Sequence, residues 1–329
     1  MAKRLVFTAK QQVKLETFEP KKMGPGMVAV RSLYSLVSTG TEMTIFNRNF
    51  DPGTPWEEWV KYPFYPGYAI CGQVEKVAKD VTSVKPGDRV VMQWEHASMH
   101  VAPEEQCLVL PEEADARTAP WFVLAKIAFM GAKAAPYAMG DRMLVIGAGP
   151  IGQMTVRWAR AYGAETIIVA DMVAPRLKLA QMGGATHVIA KPLSDCVEEI
   201  KAANHGELPA LVVDTTGNHV VFAQALAVCA PRGRMVLLGD TGTPDKQHLT
   251  ADVLQKGLKI IGAHSTHMDP PWTLHRIHRL FFRLLTTGRF DLTGLNTHAF
   301  KPQDCQEAYR VLNEHRGETM GVIFDWTSA

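Results

Sequence analysis

The clearest chemical signature in the sequence is a glycine-rich run, Gly147, Gly149 and Gly152 in G-x-G-x-x-G spacing, with Pro150 and Ile151 between the last two glycines. The run directly follows a short apolar segment and opens a stretch with helical spacing of apolar residues. Glycines at such a junction permit a tight turn and let a pyrophosphate approach the N-terminus of the helix. The sequence therefore predicts a dinucleotide site.

A carboxylate lies at the position where a dinucleotide site needs one. Asp171 closes the next strand-like run, about twenty residues after the glycine-rich loop, where a carboxylate accepts hydrogen bonds from the adenine ribose hydroxyls. Because a negative charge there repels a 2′-phosphate, Asp171 favours NAD over NADP. Arg176 nearby would weaken that preference, and an ordinary capping or surface role for Asp171 is the alternative.

The elements around the loop follow a regular alternation. From Thr118 to about His264, short β-branched runs alternate with helical stretches, which is typical of a parallel sheet covered by helices on both faces. The runs number six, as in a complete dinucleotide-binding domain. They are 143–146, 166–169, 186–189, 211–213, 235–238 and 258–261.

The residues before this region show a different pattern, with short strands at 28–30, 70–77 and 89–91 separated by Gly and Pro turns. This pattern favours an antiparallel, barrel-like domain. Near the end, an amphipathic helix over 303–315 precedes a strand at 321–324. We expect this strand to have no partner within the tail and to return to the first domain.

We therefore predict an α/β protein with three segments. A barrel-like domain would span 1–118, a dinucleotide-binding domain 119–267, and a C-terminal segment that returns to the first domain 268–329.

The amino-acid composition argues against several classes of binding partner. The 35 Lys and Arg residues nearly balance the 33 Asp and Glu residues, and no basic block is present, so we do not expect nucleic-acid binding. The sequence has no uncharged apolar stretch of about 18 residues and no signal-peptide pattern, so we expect no membrane association and a cytoplasmic location. The five cysteines are widely separated, which favours buried thiols over disulfides or a structural zinc site.

These segments together resemble the medium-chain dehydrogenase/reductase superfamily across essentially the whole chain. The resemblance implies a GroES-like antiparallel barrel as catalytic domain, a Rossmann doubly wound sheet, a small-molecule substrate and a homodimer formed through the cofactor domains. The matching landmarks are 84–90, 140–141, 147–152, Asp171, Arg176, Ala180, 214–217, 233–239 and 261–262.

The resemblance also assigns cofactor contacts. Thr215, Thr216 and Gly217 match the loop under the cofactor ribose, and Gly239 matches the loop beside the nicotinamide. His264 follows the sixth strand near the expected position of the nicotinamide, although a purely structural role is the simpler interpretation.

The sequence departs from zinc-dependent members at each ligand position. Ser38 replaces the first cysteine, Tyr68 stands where the histidine of Gly-His-Glu belongs, and the third ligand position falls on Phe122 or Val123. These side chains do not provide the usual nitrogen, sulfur and carboxylate ligands of Zn²⁺. We therefore expect a zinc-free enzyme. The loop from Ser38 to Glu42 is similar to that of bacteriochlorophyllide dehydrogenases, which oxidise a secondary alcohol.

Without zinc, side chains must manage the hydroxyl proton of an alcohol. Thr41 matches the family position whose hydroxyl touches the substrate oxygen, with helix capping as the alternative. Tyr68 could donate to an alkoxide, or could simply pack. Lys126 lies in an apolar helix, where burial would shift its pKa, unless it reaches the surface. Ser38 and Glu42 complete the candidates; for His96 and His100 we favour structural roles.

Three functions remain open from sequence. The leading hypothesis is a zinc-independent, NAD-dependent enzyme that interconverts a secondary alcohol, which could be a polyol, a sugar-like compound or a cyclic alcohol, and its ketone. A quinone or enone reductase is the first alternative, although such reductases commonly use NADPH. A cofactor-binding protein without turnover is the second. The aromatic segment 46–65 could line a substrate pocket or a subunit contact.

Overall fold

The computed structural model describes residues 1–268 and 270–328, and its N-terminal part is rich in antiparallel strands. The elements of this part are β1 (Ala2–Ala9), β2 (Gln12–Phe18), β3 (Met27–Leu36), α1 (Thr39–Asn47), α2 (Pro55–Trp59), β4 (Ile70–Val77), β5 (Arg89–Met92), β6 (Met99–Pro103) and β7 (Leu108–Val109).

Strand β3 organises the first sheet, since it pairs antiparallel with both β4 and β6. Alternate residues of the strands bury their side chains in one core, as expected for a sheet with one covered face. Val28 and Val30 of β3 and Ile70 and Val74 of β4 are almost fully buried there. The predicted GroES-like domain is confirmed.

The second part is the predicted Rossmann sheet with its helices. Its elements are α3 (Trp121–Ala134), β8 (Arg142–Ile146), α4 (Pro150–Tyr162), β9 (Thr166–Ala170), α5 (Ala174–Gly183), β10 (His187–Ile189), α6 (Val197–Ala203), β11 (Leu211–Asp214), α7 (His219–Ala227), β12 (Arg234–Leu237), α8 (Ala251–Lys256) and β13 (Lys259–Gly262).

All six strands of this sheet run parallel in the order β10-β9-β8-β11-β12-β13. The chain therefore reverses its direction of winding between β8 and β11. In such sheets the crevice outside the carboxyl ends of the strands at the switch point is where ligands bind. The glycine-rich loop follows β8 at this crevice.

The C-terminal segment contacts both parts. Its elements are α9 (Leu274–Thr286), β14 (Asn296–Phe300), α10 (Cys305–Glu314) and β15 (Gly321–Asp325). Helix α9 packs on α3, where Phe281 and Phe282 of α9 lie against Phe122. Strand β15 then pairs antiparallel with β3, so the tail does return to the N-terminal sheet.

One prediction about the tail is wrong. We expected the strand at 321–324 to have no partner within the tail, yet β14 pairs with it in parallel over Asn296–Phe300. The β14 segment alternates intermediate and exposed residues and has no run of β-branched apolar residues, so its sequence gives little sign of a strand. The bounds of the three predicted segments stay a prediction.

Two further predictions from composition concern the cysteines and membrane-spanning helices. All five cysteines are buried, and none of them forms a disulfide. None of the helices formed by the described residues is long and apolar enough to cross a membrane.

Candidate functional site

The glycine-rich loop has the conformation that its sequence predicts. Gly147 adopts φ of +90°, which L-residues rarely adopt, and Gly149 caps α4, whose first residue is Pro150. A side chain at Gly152 would place its Cβ 2.0 Å from the carbonyl oxygen of Gly147. The loop and the start of α4 are thus in direct backbone contact, and the N–H groups at the N-terminus of such a helix can bind an anion.

Asp171 lies directly beside this loop. Its carboxylate accepts hydrogen bonds from the backbone N–H of Ala148 at 2.6 Å and from that of Val173 at 2.8 Å. These bonds fix the carboxylate at the end of β9, where its remaining lone pairs can accept from ribose hydroxyls. Asp171 also links the glycine-rich loop to the second strand.

Two further loops meet the first one at the switch point. Thr215 donates from Oγ1 to the carbonyl oxygens of Ile146 at 2.9 Å and Gly147 at 3.2 Å. A Cβ at Gly217 would lie 2.1 Å from the carbonyl oxygen of Asp240, and one at Gly239 2.5 Å from the backbone nitrogen of Gly217. Because these approaches exclude side chains, glycine is required at both positions. The three loops that carry these predicted cofactor residues therefore contact one another.

Three other predicted cofactor residues, Arg176, Thr216 and His264, form hydrogen bonds with groups outside the glycine-rich loop. Arg176 donates to the backbone carbonyls of Arg316 and Thr319, and so joins α5 to the C-terminal segment. Thr216 donates from its hydroxyl and its backbone N–H to the buried carboxylate of Asp214. His264 lies exposed after β13 and is hydrogen-bonded to Thr266 at 2.7 Å.

Three hydroxyl groups meet in the N-terminal part. The hydroxyls of Ser38 and Tyr68 share a short hydrogen bond, and that of Thr41 lies 3.3 Å from Tyr68 Oη. Ser38 is the N-cap of α1, Thr41 lies in its first turn, and Tyr68 lies just before β4. We call Ser38, Thr41 and Tyr68 the hydroxyl cluster.

Burial raises the pKa of the Tyr68 phenol, and its hydrogen bonds with Ser38 and Thr41 oppose this shift only in part. Tyr68 therefore stays protonated at neutral pH. A protonated phenol can donate a hydrogen bond to a substrate oxygen, but it is a poor base unless it passes its own proton on at the same time.

A buried hydrogen-bond network centred on Glu42 positions Ser38 of the hydroxyl cluster. Oε1 of Glu42 accepts from the backbone N–H of Ser38 at 2.8 Å, and Oε2 lies 3.1 Å from Nε2 of His96. The hydroxyl of Tyr309, in α10, also donates to Oε2. Glu42 is thus fully engaged in positioning the start of α1.

The network continues beyond His96. Nδ1 of His96 is hydrogen-bonded to Ser35 Oγ at 2.7 Å, and that hydroxyl accepts from Trp326 Nε1 at 2.9 Å. Sequence reasoning missed Tyr309, Ser35 and Trp326 and gave His96 only a structural role. No local signal joins them, since Tyr309 lies 267 positions from Glu42.

Lys126 does not join the cluster. Its ammonium donates to Gln93 Oε1 at 2.7 Å, and burial lowers its pKa to about 8. The prediction of a buried lysine in α3 is confirmed, but its hydrogen-bond partner is a neutral amide.

A cavity of about 300 Å³ opens beside the hydroxyl cluster. Its lining includes Thr41 and Tyr68 together with the rings of Trp59, Phe64 and Tyr65. Of the two roles that the sequence left open for the aromatic segment, the structure places these three rings in a pocket wall.

Comparison with known proteins agrees with this arrangement. Residues 24–145 match the alcohol dehydrogenase GroES-like domain, and residues 150–279 match the zinc-binding dehydrogenase family. The two models follow one another in the order of the two sheets. This chain belongs to the alcohol dehydrogenase-like medium-chain superfamily.

Curated relatives of this superfamily member are dehydrogenases acting on CH–OH groups. The L-threonine 3-dehydrogenase of Bacillus licheniformis is 27% identical over 308 residues, which cover 84% of this chain and 85% of the relative. Sorbitol dehydrogenase 1 of Saccharomyces cerevisiae is 26% identical, with 80% and 82% covered. A protein named short chain alcohol dehydrogenase from Escherichia coli CFT073, solved with NADH, superposes with a TM-score of 0.82 at 20% identity, with 98% and 99% covered.

The zinc that the family description implies does not fit the residues of this alcohol dehydrogenase-like chain. Ser38 and Tyr68 offer neutral hydroxyls that bond to each other, while Phe122 and Val123 are buried and apolar in α3. Within residues 1–268 and 270–328, no group of three or more His, Cys, Asp or Glu side chains could hold a metal ion. The ligands that catalytic zinc requires are therefore not found together in the part of the chain described.

Proposed function

We propose that this protein is an NAD-dependent oxidoreductase that interconverts a secondary alcohol and its ketone without a catalytic zinc ion. The observation that carries this proposal is the hydroxyl cluster. Ser38 and Tyr68 stand where the resemblance locates zinc ligands, and their hydroxyls are bonded to each other beside a cavity. The names of the relatives support chemistry at a CH–OH carbon.

The cofactor residues of this proposal lie at the switch point. Gly147, Gly149, Pro150, Ile151 and Gly152 would hold the pyrophosphate, since the start of α4 offers free N–H groups there. Asp171 would bind the ribose hydroxyls and disfavour a 2′-phosphate.

The remaining cofactor contacts would come from the later loops. Thr215, Thr216 and Gly217 would support the ribose, and Gly239 and His264 the nicotinamide end. When bound, NAD supplies the hydride acceptor. Arg176 stays a secondary candidate, because its guanidinium is already bonded to carbonyls of the C-terminal segment.

In this proposal, side chains of the protein remove the hydroxyl proton of the alcohol. As the carbinol hydrogen leaves with its electron pair, the oxygen must lose its proton. Each hydroxyl of the cluster can accept a proton on its oxygen and release its own to the next oxygen. Because Thr41 and Tyr68 line the cavity, either hydroxyl can take the proton from the substrate oxygen while releasing its own to water in the cavity, although the raised pKa of Tyr68 prevents a lasting phenolate.

Glu42 and Lys126 have different places in this proposal. Glu42 positions Ser38 through its 2.8 Å hydrogen bond, and although it is part of the cavity lining we give it no role as a base, because its carboxylate already accepts from three groups. Lys126 is bonded to Gln93, outside the hydroxyl cluster, and we give it no proton-transfer role.

The test combines metal analysis with turnover. Purified protein should oxidise secondary alcohols with NAD, contain less than stoichiometric zinc and keep its activity after treatment with 1,10-phenanthroline. A tightly held zinc ion required for turnover would contradict the proposal. Reduction of quinones or enones with NADPH alone would favour the reductase alternative, and quenching of Trp fluorescence by NAD without any turnover would favour a cofactor-binding protein.

Three other features stay predictions. They are the cytoplasmic location, the homodimer formed through the cofactor domains, and the similarity of the Ser38–Glu42 loop to bacteriochlorophyllide dehydrogenases.

A further inference from the structure

Four of the nine residues that line the cavity beside the hydroxyl cluster are aromatic. Trp59 and Phe64 meet edge to face with centroids 5.3 Å apart, and Phe64 stacks at 6.4 Å on Phe7, which is fully buried. The wall is therefore anchored in the core of the N-terminal domain. Its faces suit a flat or ring-shaped apolar ligand, because aromatic side chains bury large areas and stack on other rings.

The cavity offers no free charge to a ligand. Within the described residues, its lining includes no lysine, arginine or aspartate, and the carboxylate of its one glutamate, Glu42, already has three hydrogen-bond donors. Arg4 is not one of the lining residues; its guanidinium covers the ring of Tyr65 at 3.7 Å and pairs with Glu16 at 3.0 Å. A phosphate, carboxylate or ammonium group on the ligand would lose water without gaining a partner.

The cavity lining also has few uncharged polar side chains. Thr41 and Tyr68 carry hydroxyls that bond to each other, whereas the hydroxyl of Tyr65 is already bonded to Arg4 at 2.9 Å. A polyol carries a hydroxyl on each carbon, and hydroxyls beyond the first would lie against the aromatic wall. Since an unpaired buried hydroxyl is unfavourable, the cavity discriminates against polyols.

We propose that the substrate is a neutral alcohol, or the corresponding ketone, whose reacting carbon belongs to a ring or is attached to one. This inference rests on the proposed function. The reacting oxygen would lie at Thr41 and Tyr68, with the ring against Trp59 and Phe64. A volume of about 300 Å³ is at the low end for ligand pockets, so one ring or two fused rings fit. Trp59 is 54% exposed, which leaves room for a larger substrate to extend into solvent.

Steady-state kinetics of the full chain with NAD tests this inference. We expect kcat/KM for 1-indanol and 1-phenylethanol to exceed that for sorbitol and L-threonine by about 100-fold, as for sites that leave polar groups of the wrong substrate unpaired. A kcat/KM for sorbitol or L-threonine equal to or above that for the ring alcohols would overturn it.

A matched pair of variants localises the effect. Trp59→Ala should raise the KM for 1-indanol about tenfold through lost ring contact, with the KM for NAD unchanged. Met139→Ala removes an exposed apolar side chain outside the cavity and should change neither constant. Equal KM values for 1-indanol in Trp59→Ala and the unmodified protein would contradict the assignment of the wall.

A binding measurement separates this inference from the proposed function. If no alcohol is turned over, calorimetric titration of the protein and NADH with 1-indanone still measures ligand binding in the cavity. Binding of 1-indanone that is weakened in Trp59→Ala would support the ring-binding wall even though the proposed function had failed. Absence of binding, or equal binding by Trp59→Ala, would overturn the inference itself.

Discussion

Oε2 of Glu42 lies 3.1 Å from Nε2 of His96, and both side chains are almost completely buried. The other carboxylate oxygen of Glu42 holds the backbone N–H of Ser38. A contact between a helix residue and a residue beyond β5 thus fixes the turn that presents the hydroxyl cluster.

The first prediction tests this positioning role with Glu42→Gln. The variant keeps the shape but removes the charge that accepts from Ser38, His96 and Tyr309. We expect the free energy of unfolding to fall by about 1–3 kcal/mol, because hydrogen bonds to charged groups are the stronger ones. We also expect kcat to fall while the KM for NAD stays the same, since the cofactor loops lie elsewhere. Urea unfolding and steady-state kinetics measure both, with the exposed Glu19→Gln as control; wild-type kcat would argue against a positioning role.

The second prediction concerns Tyr68 itself. Tyr68→Phe removes the hydroxyl that joins Ser38 and Thr41, so kcat should fall by about 100-fold, the lower range for loss of a general acid or base. Thr41→Ala should lower kcat as well. Tyr162→Phe removes a phenolic hydroxyl from α4, outside the hydroxyl cluster, and should leave kcat unchanged. Stopped-flow measurement of NADH formation reports the step; full activity of both Tyr68→Phe and Thr41→Ala would remove the cluster from the mechanism.

The third prediction concerns cofactor choice. Asp171→Asn removes the negative charge but keeps an amide oxygen for Ala148 or Val173. We expect kcat/KM with NAD to fall by about tenfold or more, the equivalent of one charge-assisted hydrogen bond, while that with NADP rises. The exposed Asp195→Asn serves as the charge-matched control. An unchanged ratio of NAD to NADP would show that Asp171 does not select the cofactor.

The fourth prediction separates two glycines of one loop. A Cβ at Gly152 would lie 2.0 Å from the Gly147 carbonyl oxygen, whereas one at Gly149 would meet nothing within 4 Å. Gly152→Ala should therefore lower the free energy of unfolding by about 1–3 kcal/mol, as overpacking does, and Gly149→Ala should not. Thermal and urea unfolding without cofactor measure the difference. Equal stability of the two variants would contradict the close contact.

The fifth prediction follows from the lysine in α3. Burial lowers the pKa of Lys126 from 10.5 to about 8, so the unfolded chain binds more protons than the folded one between these values. The free energy of unfolding should therefore rise with pH across this window. The cost of burying the protonated Lys126 is fully present below pH 8.

Lys126→Met should remove this dependence. The difference in unfolding free energy between the variant and the unmodified protein should shrink by about 2–3 kcal/mol between pH 7 and pH 10. Urea unfolding of both proteins at each pH cancels the contributions of the other groups. A difference independent of pH would mean that Lys126 keeps an ordinary pKa.

Local sequence was enough to predict the Rossmann sheet and its cofactor loops. The glycines at 147, 149 and 152 and the six β-branched runs each report a local requirement, either a backbone conformation or a buried parallel strand. The topology then follows, because right-handed β-α-β connections allow few arrangements of such runs. Strand β14 could not be predicted in this way, since its pairing with β15 rather than its own composition makes it a strand.

The sequence by itself therefore determined the nucleotide-binding fold and identified Ser38 and Tyr68 as hydroxyls at the expected ligand positions. Only the tertiary structure decided that Ser38, Thr41 and Tyr68 form one cluster, that Glu42 is bound by His96 and Tyr309, and that Lys126 bonds to Gln93 instead. The physical reason is that a hydrogen bond between side chains depends on distance and direction to within a few tenths of an ångström. Residues far apart in the chain reach that geometry only through the packing of whole elements, which no local pattern records.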